Sequence, residues 1–155
     1  MNPPVLKRKR PPVKGSYVLL MELSREQTVI AGKLGAINFT PGYYAYTGSA
    51  MNSLYPRIKR HLRRDKKMRW HIDYLLQKAR IKDIIICETG DKIECLIAGA
   101  LKERYDSVPG FGSSDCNCPS HVFSATTEMG PEVMKMLDSL GMVAVLKTPQ
   151  SIRRR

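Results

Sequence analysis

A glycine-bounded aromatic run that passes directly into a basic segment constrains this chain more than any other feature. The run is Gly42-Tyr43-Tyr44-Ala45-Tyr46-Thr47-Gly48, and the segment is Ser53-Leu54-Tyr55-Pro56-Arg57-Ile58-Lys59-Arg60-His61-Leu62-Arg63-Arg64. Aromatic residues between glycines read as a short strand that turns sharply into a helix. The helical period puts Leu54, Ile58 and Leu62 on one stripe and Arg57, His61 and Arg64 on the stripe beside it. A guanidinium and an imidazole are thereby expected at the rim of a core, next to a strand carrying tyrosine hydroxyls. Such a place suits the binding and cleavage of phosphates.

The rest of the chain supplies material for one domain. Its 155 residues can bury a substantial core but are too few for two large ones. An excess of 26 Lys+Arg over 14 Asp+Glu, a net charge of +12, makes nucleic acid the first partner to consider and an anionic membrane surface the second. No apolar run is long enough to cross a bilayer and the start lacks a signal-peptide core, so the expected location is cytoplasmic. There the four cysteines, Cys87, Cys95, Cys116 and Cys118, are expected as thiols or metal ligands rather than disulfides.

In order, residues 1–13 read as a flexible basic arm around Lys7-Arg8-Lys9-Arg10, and Gly15 to Leu23 as a strand. Thr28 to Ala31 reads as a second short run, after which Gly35 and Asn38 keep the chain turning until the tyrosine strand. Helical spacing resumes from Met68 to Arg80. A β-branched strand, Asp83 to Glu88, and a helix, Asp91 to Tyr105, follow. Val108 to His121 reads as a loop; Pro131 to Leu140 reads as a helix and Met142 to Leu146 as a strand. The expected fold is α/β (α+β): a small, mainly antiparallel central sheet flanked by helices. A core domain over residues 14–126 would carry a helix-strand extension and basic tail over 127–155.

Gly15-Ser16-Tyr17, then Tyr46-Thr47-Gly48, then Arg57 in a helix and Glu94 at the start of a later helix, resemble the GIY-YIG nuclease superfamily. Serine and threonine replace the two isoleucines, and the similarity runs from about Lys14 to Phe123. The resemblance implies metal-dependent endonucleolytic cleavage of DNA. Tyr17 would help activate water, Tyr46 would be its partner near the scissile phosphate, and Arg57 would steady that phosphate. His61 would assist proton transfer and Glu94 would hold a single Mg²⁺ or Mn²⁺. Lys59, Arg60, Arg63 and Arg64 would grip the nucleic-acid backbone. Phosphodiester cleavage places charge on oxygens that a metal and a forked guanidinium stabilise, which agrees with these roles.

Each residue also has a purely structural alternative. The tyrosines can be half-buried strand aromatics, and Arg57 one more solvated arginine. Asp91-Lys92-Ile93-Glu94 has the spacing of a capping box, in which Glu94 would only satisfy a helix end. His71, beside Trp70, reads as a packed helix residue. In the loop, Cys116-x-Cys118-x-x-His121 gathers three possible zinc ligands that Cys95 or Cys87 could complete. The alternative is that His121 and Ser113 to Asp115 bond to backbone or substrate.

Overall fold

A computed structural model of the protein describes residues 12–113 and 116–155. Most of the basic arm, and Ser114 and Asp115 of the loop, lie outside the described residues. The long apolar run near the start forms β1, Gly15–Leu23, and the tyrosine run forms β4, Gly42–Ala50. They pair antiparallel, with Tyr17 opposite Gly48 and Leu19 opposite Tyr46. The β-branched run forms β5, Arg80–Glu88, on the other edge of β1.

Between β1 and β4, the short run expected at Thr28 to Ala31 and the segment after it, expected only to turn, make a separate hairpin. Strand β2, Gln27–Ile30, pairs with β3, Ala36–Phe39, around a 3-10 turn at Gly32–Leu34. Gly32 and Gly35 both take positive φ there, which glycine adopts without steric cost. Strand β3 was hidden in the sequence because it has four residues and two of them are exposed.

Further along, α1 spans Leu54–Leu62, α2 His71–Leu75, α3 Glu94–Lys102, α4 Gly130–Ser139 and α5 Pro149–Arg153. Strands β6, Asp106–Ser107, β7, Val122–Ala125, and β8, Val145–Lys147, complete a six-stranded sheet in the order β6-β7-β4-β1-β5-β8. Every neighbouring pair in it is antiparallel. The fold is therefore the small, helix-flanked antiparallel sheet expected. Its C-terminal part is built into it: β8 pairs with β5, and Ile152 of α5 is fully buried in the main core.

The period of two along the strands sorts residues into two cores. Tyr17, Leu19, Met21, Tyr44, Tyr46, Ile84 and Ile86 face α1, α2 and α5, while Val18, Leu20, Ala45, Ile85 and Cys87 face α3 and α4. Two helices are shorter than their periodicity implies. The 68–80 segment becomes helical only at His71, where the Asp73 carboxylate accepts the Arg69 and Trp70 N–H groups. It ends early because Arg80 and Ile81 pair with Glu22 and Met21, so the sheet takes the end of the apolar run. Helix α3 starts at Glu94 with Ile93 as its N-cap and without a side-chain cap, so the capping-box alternative for Glu94 fails.

Candidate active site

Strand register and the turn of α1 bring together the first set of residues that sequence reasoning singled out. Tyr17 and Tyr46 lie on one face of the sheet with ring centroids 6.5 Å apart. Arg57 and His61 stand one turn apart on α1. The Tyr17 hydroxyl lies 2.6 Å from His61 Nε2, and both residues are buried. A side chain at position 48 would obstruct this arrangement, since a Cβ there would sit 2.7 Å from the Tyr17 hydroxyl oxygen. Arg57 Nη1 donates to the Ser49 carbonyl at 2.7 Å, and its guanidinium stands 5.1 Å from the Trp70 ring centroid.

Burial dominates the electrostatics here. It raises Tyr17 well above the ordinary phenol value, with the charge of Tyr46 adding to the rise and Arg57 opposing it. Burial also lowers His61 to about 3, helped by the cation of Lys66. At neutral pH the pair is a phenol facing a neutral imidazole. The hydroxyl can donate to Nε2, leaving Nδ1 buried with no hydrogen-bond partner among the described residues.

A cavity of about 200 Å³ is lined by Tyr17, Tyr46 and Arg57 together with Glu94, His71 and His121. Glu94 is the only carboxylate lining it among the described residues. Its Oε1 lies 3.4 Å from Lys92 Nζ and its Oε2 4.0 Å from His121 Nδ1. Burial lowers the His121 pKa, and Glu94 acts in the opposite direction. One carboxylate with its side chain 15% exposed can hold a hydrated divalent cation.

Behind His121 is a second constellation. Cys95, Cys116, Cys118 and His121 bring their ligating atoms within 4.8 Å of one another and could hold a metal ion. Of the two completions left open by the sequence, it is Cys95, next to Glu94 on α3, that joins the loop; Cys87 is buried in the second core. Cys116 Sγ lies 3.4 Å from His121 Nε2. Burial and the neighbouring thiols of Cys95 and Cys116 push the Cys118 thiol up to about 12.

The four residues expected to grip a backbone are placed differently from one another. Arg60 makes two bonds of 2.9 Å to the fully buried carboxylate of Asp73 and stacks on Trp70 at 4.4 Å. Lys59 Nζ donates to the main-chain oxygen of Arg155, whose guanidinium lies 3.6 Å from the Tyr55 ring centroid. Arg63 and Arg64 are exposed beyond the end of α1, so Arg64 does not share the His61 stripe. Together with Arg80, Lys82 and Arg153 they line a basic cavity of about 280 Å³.

Sequence reasoning missed His71, Arg69 and Lys92 at the main cavity. His71 is not simply packed in a helix: it opens α2, and its Nδ1 accepts the Gly112 N–H at 3.0 Å. The available signal was Trp70, an aromatic that the helix period leaves half-buried, followed by Asp73 at capping distance.

No curated protein and no solved structure matches the chain. A family model described as a domain of unknown function, DUF123, matches residues 16–142, which include every residue lining the main cavity. The chain belongs to the DUF123 family.

Proposed function

We propose that the protein is a divalent-metal-dependent endonuclease that hydrolyses DNA phosphodiester bonds. The observation that carries this reading is a cavity that presents Tyr17, Arg57 and Glu94 together, with His61 buried 2.6 Å behind the Tyr17 hydroxyl. Hydrolysis requires a proton to leave the attacking water and charge to be stabilised on the phosphate oxygens. Tyr17 takes the water proton as its own shifts toward His61 Nε2, which is neutral at working pH; burial makes that nitrogen a weak base, so the proton is shared within the hydrogen bond and His61 does not become a stable imidazolium. Arg57, held by the Ser49 carbonyl and beside Tyr17, turns its guanidinium toward the cavity, where it would meet phosphate. Tyr46 bounds the same cavity and orients the substrate beside Tyr17.

Glu94 would hold Mg²⁺ or Mn²⁺, because a lone carboxylate suits a cation that keeps most of its water. When bound, that cation supplies Lewis-acid stabilisation of the phosphate. For the thiol cluster the donor set points to zinc, which thiolates and imidazole favour over hard cations. Unpaired cysteines suit a reducing, cytoplasmic setting. The basic cavity lined by Arg63 and Arg64 supports a polyanionic partner that extends past the cleavage site.

Labelled single-stranded, duplex, flap and junction DNAs, with an RNA control, test the reading in the presence of Mg²⁺, Mn²⁺ or chelator. The expected result is a metal-dependent cut that Glu94→Ala abolishes while nucleic-acid binding persists. Salt-sensitive binding without any cut would reduce the protein to a binding module of the same fold.

A further inference from the structure

We propose that Cys95, Cys116, Cys118 and His121 form a zinc-class centre that fastens residues 116–121 to α3 and, through His121, positions Glu94 in the candidate active site. Neither α3 nor the loop holds the set alone. Cys95 lies in the first turn of α3, whereas Cys116, Cys118 and His121 come from the segment before β7. Tetrahedral coordination with zinc–sulfur bonds of about 2.3 Å puts sulfurs about 3.8 Å apart. The four ligating atoms already lie within 4.8 Å of one another. Three sulfurs and one imidazole with no carboxylate among them select a soft or borderline cation over Mg²⁺ or Ca²⁺.

The orientation of His121 gives the centre a second role. Its Nε2 faces the thiols, 3.4 Å from Cys116 Sγ, and its Nδ1 faces Glu94, 4.0 Å from Oε2. A histidine that ligates through one nitrogen ordinarily donates its other N–H to a carboxylate or carbonyl, which fixes both the ring and the acceptor. His121 is buried, and its main chain is held at both ends. Its N–H donates to the Phe111 carbonyl at 2.8 Å, and its carbonyl accepts the Thr47 N–H of β4 at 3.0 Å, next to the β4–β7 pairing. The ring therefore has little freedom except through its two nitrogens.

Charge strengthens the coupling. A divalent ion on three thiolates and a neutral imidazole leaves one net negative charge, next to the carboxylate of Glu94. That corner becomes more favourable to a second, hard cation. His121 is on this account a positioning residue, not a catalytic one. The link to Glu94 rests on the reading of Glu94 as the functional carboxylate; the centre itself does not.

The test is made on the full chain, purified under reducing conditions without added metal. Elemental analysis is expected to find about one zinc ion per chain, and replacement by cobalt(II) to give thiolate charge-transfer and intense tetrahedral ligand-field absorption. Cys118→Ser should lose both signals. Should that variant fail to fold, the wild-type count and spectrum still decide. Metal near zero, a cobalt spectrum without thiolate bands, or a disulfide among the three cysteines would overturn the centre.

For the coupling, Glu94→Gln should keep the zinc count but yield its metal to a competing chelator about 10- to 100-fold more readily. An unchanged affinity would overturn the link between the two sites. Neither readout uses cleavage. A protein that holds zinc with this Glu94 dependence yet cuts nothing supports the inference while contradicting the nuclease reading.

Discussion

At the scale of single residues, the site is organised by what its neighbours exclude. Tyr17 is only 1% exposed, and its hydroxyl reaches His61 because position 48 across the strand has no side chain. Gly48→Ala should therefore force the ring aside and cost about 1–3 kcal/mol in chemical denaturation, as overpacking of a filled core does. A midpoint equal to wild type would contradict that packing. Asp73 gives a second prediction. Burial alone would raise its pKa, but the Arg60 guanidinium and the N–H groups of Arg69 and Trp70 outweigh burial and hold it below the ordinary value. Removing one partner of such a buried pair leaves the other charge uncompensated, so Asp73→Ala should lose about 3–5 kcal/mol of stability by thermal or denaturant unfolding. These residue contacts join sequence positions 31 and 13 apart, and local periodicity contains no trace of them.

Among the elements, α3 carries the discriminating case. Its first residue, Glu94, caps nothing, so Glu94→Gln should change stability by no more than about 0.5 kcal/mol, whereas a true cap would cost about 1. Equilibrium unfolding of both proteins stripped of metal by chelator separates the two. The sequence made β1 and β4 legible as runs of apolar or aromatic character bounded by turn residues, and β5 only over its β-branched part from Asp83 to Glu88, because charged Arg80 and Lys82 break the run before it. It made the Arg57–His61 spacing legible because one turn of helix is local information. It hid β6 and β7, two and four residues long, whose identity depends on pairing with β4. It also hid α5, although Thr148 caps that helix by accepting the Ser151 N–H, because a five-residue helix has too little period to read. The cysteine cluster was half legible: the loop announced three ligands, and only the fold could choose Cys95 over Cys87 as the fourth.

For the whole molecule, the sheet joins two cores, and the candidate site lies where elements from both faces meet. His61, from the first core, makes folding sensitive to pH. Its folded pKa of about 3 lies below the unfolded value near 6.5, so as pH falls the unfolded chain takes up the proton first. The His61 contribution is complete above about pH 6.5 and is lost as pH falls toward 3, at about 1.4 kcal/mol per pH unit. Unfolding free energies of wild type and His61→Gln measured across that window should converge by this slope; parallel curves would contradict a buried neutral imidazole. No helix of the described residues is long and apolar enough to cross a membrane. The chain carries a net charge of +12, and Arg63, Arg64, Arg80, Lys82 and Arg153 contribute to it around the second cavity.

The central claim is that Tyr17 and His61 move one proton as a unit. Single-turnover cleavage of the best DNA substrate with Mg²⁺, compared among wild type, Tyr17→Phe, His61→Gln and the double variant, tests it most directly. Each single variant should lose about 10²- to 10⁴-fold, and the double variant should be no slower than the worse single one. Multiplying losses in the double variant, or a Tyr17→Phe protein that cuts at the wild-type rate, would contradict the account.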